Sequence, residues 1–160
     1  MHQSELRFIR RSVTETYYPT SLLPAPYDIV WCRFPNHKNL GNPGPKSRPG
    51  LVLNVALYPD EGESEVHVIY GTTNLKTFQR PQDFFVVNAA EMDVCGLDRA
   101  TRFDLDQMAW LPWTIDWFGI LPSYNSPIIG HLSDHAVRLL QEDLAHRKAR
   151  LNSHDGGKAK

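Results

Sequence analysis

The sequence predicts a mainly β domain, a small barrel or sandwich, that is followed by one C-terminal helix. Short segments rich in β-branched and aromatic residues recur along the chain, as in residues 28–34 and 65–70. Clusters of Gly, Pro, Asn and Asp separate these segments and mark turns. Apolar residues approach a helical spacing only after residue 133. This order of strands, turns and one final helix is typical of a small β-barrel with an added helix.

The first 26 residues are predicted to form an arm rather than a regular element. Pro19, Pro24 and Pro26 favour extended or irregular backbone. This arm either lies over the domain or becomes ordered on a partner. The domain itself then covers residues 27–152, and residues 153–160 form a flexible tail.

The central feature of the predicted domain is an antiparallel hairpin. A first strand, residues 28–34, ends at Pro35, and residues 35–47 form a loop rich in Asn, Gly and Pro. A second strand covers about residues 50–56 and a third covers residues 65–70. The connection between these two strands is short and acidic, which favours direct antiparallel pairing.

The second half of the chain predicts two further strands and two helical segments. Residues 83–87 and 101–105 read as strands, and residues 89–98 between them read as a short helix or turn. Ser133 or Asp134 can cap the C-terminal helix. Apolar residues inside that helix approximate one stripe: Val137, Leu140, Leu144 and Leu151.

Composition limits the possible functions. The chain has 160 residues and a formal net charge of −1, so any contact with nucleic acid must come from a local basic patch. Cys32 and Cys95 fit no metal-binding spacing, and Cys32 is expected to be a buried thiol. A disulfide between them remains open, although a reduced cytoplasmic protein is expected. Neither a signal peptide nor a membrane-spanning run is expected.

Polar side chains stand at the ends of the two hairpin strands. Arg48 comes directly before the second strand, and Thr72 and Thr73 come directly after the third. Because antiparallel strands bring these ends together, an arginine and a hydroxyl could lie close together and bind a phosphate. The alternative is a surface arginine beside ordinary turn residues.

Several segments together resemble one known family. These segments are residues 28–31 (DIVW), 48–53 (RPGLVL), 72–74 (TTN), 106–108 (DQM) followed by Trp113, and 130–133 (GHLS). They occur in the same order as in the MazF/PemK toxins of bacterial type II toxin–antitoxin systems. The resemblance extends from about residue 27 to residue 146.

This resemblance implies an SH3-like β-barrel of the MazF/PemK/CcdB type, usually a homodimer, that needs no metal or cofactor. It also implies an endoribonuclease that cleaves single-stranded RNA and is blocked by a cognate antitoxin. Arg48 and Thr72 correspond to the catalytic arginine and threonine of the family, and the loop at residues 35–47 covers the RNA groove. In such a reaction the 2′-hydroxyl of the RNA attacks the adjacent phosphate. Arg48 would stabilise the developing charge, and Thr72 would position a nonbridging oxygen.

The chain also departs from the family pattern. The first strand begins with Tyr27-Asp28 where many members have Gly-Asp. Lys46 and Ser47 stand where some members carry an acidic residue before the arginine. These departures keep a second interpretation open, in which the same barrel is a non-catalytic module that binds a protein or a nucleic acid.

The remaining candidates concern the general base and RNA contacts. His37, in the loop, is preferred as the base over His67, which strand alternation places on the face opposite Thr72. Lys46 and Lys76 could contact phosphates together with Thr73, and Trp113 could stack on a base. Each of these residues also has an ordinary role as a solvated or core side chain. His131 and His135 are four residues apart but lack a third metal ligand, so a metal-dependent hydrolase is the weakest alternative.

Overall fold

A computed structural model describes residues 6–7, 15–36, 38–75 and 82–158. The structure is mainly β with a C-terminal helix, as predicted. Two short 3₁₀ turns lie at Thr20–Leu22 and Pro59–Glu61. The strands and helices are β1 (Leu6–Arg7), β2 (Asp28–Cys32), β3 (Arg48–Tyr58), β4 (Glu63–Thr72), β5 (Phe84–Val86), α1 (Ala89–Cys95), β6 (Thr101–Pro112), β7 (Ile128–His131) and α2 (Asp134–Lys158).

The strands form one curled sheet that is consistent with a small β-barrel. The strand order is β1-β6-β4-β3-β2-β7. β5 lies outside this order and pairs with β6, which also pairs with β1 and β4. The pairing of β1 with β6 is parallel, whereas the pairings of the six other strands with one another are antiparallel. The long central strands β3, β4 and β6 therefore supply most of the sheet.

The predicted hairpin is confirmed, and both of its strands are longer than expected. β3 begins at Arg48 rather than near residue 50, and β4 continues to Thr72. Gly50 pairs with Tyr70 and Val52 pairs with Val68, after which the register shifts by one residue. The strands are longer than predicted because residues of types common in turns continue the ladder of backbone hydrogen bonds.

Strand alternation divides the core into two layers on opposite faces of the sheet. Ile29, Leu51 and Ile69 belong to one layer, where Ala136 and Leu140 of α2 also pack. The other layer contains Val30, Val52 and Val68 together with the large aromatic residues Trp113, Trp117 and Phe118. Both faces of the sheet are therefore covered, which explains why its central strands are apolar at nearly every position.

The described part of the N-terminal arm lies on the domain. Tyr17 forms an isolated bridge with Thr114, and the Tyr18 backbone amide donates to the Trp113 carbonyl oxygen over 3.0 Å. The Tyr18 hydroxyl donates to the carbonyl oxygen of Phe118 over 2.6 Å. Residues 15–18 therefore close one side of the aromatic layer.

Several elements in the second half of the chain differ from the sequence prediction. β6 extends to Pro112, because residues 108–112 continue the pairing with β4. β7 was not predicted, since it is only four residues long and follows a stretch rich in turn residues. α1 ends at Cys95, earlier than predicted. Gly96 follows as its C-cap, and the backbone of this glycine is left-handed with φ of 72°. Both cysteines are free and buried.

Glu91 connects α1 to the start of α2. Its carboxylate accepts hydrogen bonds from the backbone amide of Ser133 over 2.9 Å and from the Ser133 hydroxyl over 2.5 Å. Burial alone would raise the pKa of Glu91, but the hydrogen bonds from Ser133 and Cys95 outweigh it and lower the pKa. Ser133 in turn accepts from the Ala136 backbone amide over 3.1 Å, as its predicted capping role requires.

Two adjacent leucines of α2 test how this helix packs. Leu140 is 0% exposed, so Leu140→Ala should lower the free energy of unfolding by about 2–5 kcal/mol through lost burial and a new cavity. Leu139 is 43% exposed, and Leu139→Ala should change it by only about 0.5 kcal/mol. Urea unfolding monitored by tryptophan fluorescence measures both values. Equal losses would contradict the described helix orientation.

Candidate functional site

A cavity of about 290 Å³ lies between the β2–β3 loop and the sheet. This volume is at the low end of the range of about 300–1000 Å³ for small-molecule sites. Its wall combines two cations, a phenol and two amides with apolar side chains. The lining residues are Phe34, Pro35, Asn36, Pro45, Lys46, Arg48, Tyr70 and Gln107.

Arg48 is held at the edge of this cavity by its neighbours on the sheet. It is the first residue of β3 and pairs with Cys32 of β2. Its guanidinium carbon lies 5.8 Å from the centre of the Tyr70 ring, within the range of a cation–π contact. The Tyr70 ring packs against Phe34 at a centroid distance of 5.3 Å. The guanidinium therefore rests on an aromatic surface that is itself fixed by the core.

The β2–β3 loop turns back sharply to form the other wall. The Gly44 backbone amide donates to the carbonyl oxygen of Arg33 over 3.0 Å. A Cβ atom at Gly44 would collide with the carbonyl oxygen of Phe34, so only glycine fits this close approach. The exposed Lys46 follows two residues later and adds a second positive charge to the lining.

Thr72 lies near Arg48 in the sheet but does not line the cavity. Extending the register in which Gly50 pairs with Tyr70 brings Thr72 opposite Arg48. Thr72 is 6% exposed, and its Oγ1 accepts a hydrogen bond from the Asn74 backbone amide over 3.1 Å. Its hydroxyl therefore takes part in closing the turn after β4. Thr73 is exposed in that turn.

Tyr70 is the β4 residue that faces Arg48 in the cavity, a contact that the sequence did not predict. Strand alternation did place Tyr70 on the same face as Thr72, which was the available signal. The two strands approach closely at this point. A Cβ atom at Gly71 would collide with the carbonyl oxygen of Pro49 and press against the Phe103 ring. Glycine at this position therefore permits the contact between Arg48 and Tyr70.

Gln107 reaches the cavity because β6 bulges. Asp104 pairs with Tyr70 and Met108 pairs with Ile69, so residues 105–107 have no partner on β4 in this ladder. The Asp104 carboxylate holds the bulge by two hydrogen bonds. Its Oδ1 accepts from the Asp106 backbone amide over 2.9 Å, and its Oδ2 accepts from Gln107 Nε2 over 2.8 Å.

A buried charge network supports the bulge. Arg102 Nη1 lies 2.7 Å from Asp83 Oδ2 and 3.6 Å from Asp104 Oδ2, and these side chains are 0–7% exposed. Arg102 Nε donates to the carbonyl oxygen of Asn74 over 2.9 Å. Asp83 Oδ1 accepts from the Leu105 backbone amide over 3.2 Å. The network thus joins the turn after β4, the residue before β5 and the bulge of β6.

The prediction that Trp113 stacks on an RNA base is corrected by its burial. Trp113 is 0% exposed, and its indole packs against Tyr18 at 5.4 Å and Phe118 at 4.7 Å between ring centres. The side chain is therefore part of the core, with no face open to a ligand.

The structure brings together only some of the other predicted residues. Lys46 lines the cavity with Arg48, whereas His37 and Lys76 lie outside the described residues. His67 does not line the cavity and is stacked on Trp110 at 4.8 Å between ring centres. Within the described ranges, no group of three or more His, Cys, Asp or Glu side chains is arranged to hold a metal ion.

A comparison with protein-family models finds no match, and a comparison with curated proteins finds none either. No described helix combines the length and apolar character that crossing a membrane requires.

The chemistry of the cavity is therefore the basis for assigning a function. Arg48 and Lys46 offer positive charge, and the Asn36 and Gln107 amides offer neutral hydrogen bonds. This set suits an anion that is attached to a polar group, such as the phosphate of a nucleotide.

The charge network gives a prediction about stability. Arg102→Met removes one partner of a buried ion pair with Asp83, so it should lower the free energy of unfolding by about 3–5 kcal/mol. Arg147→Met is the matched control, because Arg147 pairs over 3.2 Å with Asp106, whose side chain is 51% exposed. That change should cost about 0–1 kcal/mol. Urea unfolding at low salt measures both, and similar costs would refute the structural role of Arg102.

Proposed function

We propose that the protein is the toxin of a type II toxin–antitoxin module, a metal-independent endoribonuclease that cleaves single-stranded RNA on an SH3-like barrel of the MazF/PemK type. The observation that carries this proposal is the position of Arg48, a charged donor fixed at the edge of a cavity walled by the β2–β3 loop. The mainly β architecture and the ordered motifs of the sequence also support it.

Arg48 has the chemistry to stabilise the transition state of RNA cleavage. The 2′-hydroxyl oxygen forms a bond to phosphorus while the bond to the 5′-oxygen breaks, leaving a 2′,3′-cyclic phosphate. One proton leaves the 2′-hydroxyl and one is delivered to the 5′-oxygen. Negative charge builds up on the nonbridging oxygens in between, and a prepositioned guanidinium stabilises that charge more than it stabilises the substrate. Lys46 adds attraction for the RNA backbone.

Tyr70 and Thr72 have different parts in this proposal. The Tyr70 ring holds the guanidinium of Arg48 in place, which reduces the reorganisation needed during the reaction. Thr72 corresponds to the catalytic threonine of the family, but its Oγ1 accepts from the Asn74 amide and it does not line the cavity. We therefore give Thr72 the task of shaping the end of β4, and we give the phosphate contact to Arg48.

His37 remains the proposed general base. Its neighbour in the chain, Asn36, lines the cavity, and an ordinary imidazole titrates close to neutral pH. The proposed partners are single-stranded RNA, a cognate antitoxin that covers the cavity, and a second copy of the chain. The cytoplasm is the proposed location, because that is where RNA and an antitoxin meet the protein.

One observation favours a second function, a non-catalytic binding module. The described lining of the cavity contains no carboxylate and no imidazole, so its described residues can bind a phosphate but include no ordinary base. On this interpretation the barrel would bind a nucleic acid or a phosphate-bearing partner without breaking a bond. The two functions differ in whether RNA products appear.

Arg48→Ala tests the proposal. It should lower the rate of RNA cleavage in the presence of chelator by about 100- to 1000-fold, the usual effect of losing one donor to a developing oxyanion. The measurement is single-turnover cleavage of a labelled single-stranded RNA, with the 5′-products analysed for 2′,3′-cyclic phosphate ends. Arg33→Ala is the matched control, because Arg33 is an exposed arginine that does not line the cavity.

The results separate the two functions. Cleavage by the parent and by Arg33→Ala, together with its loss in Arg48→Ala, would support the nuclease. RNA binding by the parent that depends on Arg48, without any product, would support the binding module instead. Cleavage by Arg48→Ala at the parental rate would refute the assignment of the site.

A further inference from the structure

The side-chain amide of Gln107 has a defined orientation at the cavity. Gln107 Nε2 lies 2.8 Å from Asp104 Oδ2. An ionised carboxylate can only accept hydrogen bonds, so the nitrogen side of the amide must face Asp104 and the oxygen side must face away. A glutamine on an exposed bulge would otherwise sample both orientations. Here the buried carboxylate selects one of them.

The orientation of Gln107 is supported by groups deeper in the fold. Asp104 is 5% exposed, and its Oδ1 accepts from the Asp106 backbone amide over 2.9 Å. Arg102 lies 3.6 Å from the same oxygen of Asp104 that accepts from Gln107, and Asp83 anchors Arg102 at 2.7 Å. These contacts fix the position of the carboxylate, which then fixes the amide.

The fixed amide leaves one donor and one acceptor for a ligand. Oε1 can accept a hydrogen bond, and the second N–H of Nε2 can donate one. Every nucleobase presents a donor next to an acceptor on one edge, and amide side chains read such edges in protein–nucleic acid complexes. Because Gln107 and Arg48 line the same cavity, a nucleotide whose phosphate is held by Arg48 can place its base at Gln107.

We propose that Gln107 is a base-reading residue and that Asp104 is its positioning residue. This inference rests on the proposed function, because it takes the ligand of the cavity to be RNA. Gln107 contacts the base nearest the bound phosphate and makes binding and cleavage depend on the identity of that base. Asp104 does not touch the RNA, and it acts by keeping the amide in one orientation.

The test compares base preferences rather than absolute rates. The parent, Gln107→Ala, Asp104→Asn and Gln141→Ala each digest a random-sequence RNA pool in the presence of chelator, and the product ends are sequenced. Gln141 is the matched control, since it is an exposed glutamine on α2 outside the cavity. Binding of labelled, uncleavable 2′-O-methyl hexamers of A, C and U provides a second readout by fluorescence anisotropy.

Gln107→Ala should remove a preference of about tenfold at one position beside the cut, the discrimination typical of a good amide–base contact. Asp104→Asn should weaken the same preference by about threefold, because an asparagine can also donate and so permits the other amide orientation. Gln141→Ala should keep the parental preference. A purely structural role of Asp104 would lower the amount of folded protein and all rates together, which leaves the ratio between bases unchanged.

The outcomes distinguish this inference from the proposed function. If the parent cuts RNA and Gln107→Ala keeps the parental preference, the inference is overturned while the nuclease stands. If the parent cuts nothing but Gln107→Ala changes the relative affinities for the hexamers, base reading stands and the nuclease does not. If the parent neither cuts nor binds RNA, both are overturned. An unchanged preference in Asp104→Asn would remove the positioning role from Asp104.

Discussion

The buried ion pair between Arg102 and Asp83 is the interaction on which the arrangement of the cavity depends. It joins three parts of the chain that are distant in sequence: the turn after β4, the residue before β5 and the bulge of β6. Removing two charges from water costs nearly as much free energy as their attraction returns, so such a pair is a weak source of net stability. Its importance is geometric, because the bulge that carries Gln107 can satisfy the buried groups in only one arrangement.

The second constraint is the close approach of β3 and β4 beside that network. Gly71 lets the strands approach, and the Tyr70 ring then lies under the guanidinium of Arg48. The chain as a whole has a net charge of −1, so its overall field does not attract a polyanion. In the proposed function, Arg48 and Lys46 of the described lining would supply the attraction at short range, where a partly buried cavity screens charges less than open water does.

The sequence predicted the hairpin and the C-terminal helix, because these depend on local patterns of apolar and turn residues. It did not predict the contact between Arg48 and Tyr70. A pattern of strand alternation gives the face of a residue but not its burial, so Thr72 looked as available as Tyr70. The position of Gln107 at the cavity could not be predicted, because it depends on a bulge in β6 that is set by tertiary contacts. Trp113 was misjudged since a tryptophan near a strand end can face either a core or a ligand.

The two proposed functions, a nuclease and a binding module, share almost all of their physical requirements. Each needs a fixed cation for the phosphate and a polar group for the base. A catalyst must in addition stabilise the transition state more strongly than the bound substrate. A guanidinium resting on an aromatic ring is already positioned, so it can respond to charge that develops on phosphate oxygens without first paying to reorganise. Proton transfer is the remaining requirement, and the described lining contains neither a carboxylate nor an imidazole. The difference between binding and cleavage would therefore reduce to one proton acceptor near the 2′-hydroxyl, the role that the proposed function gives to His37.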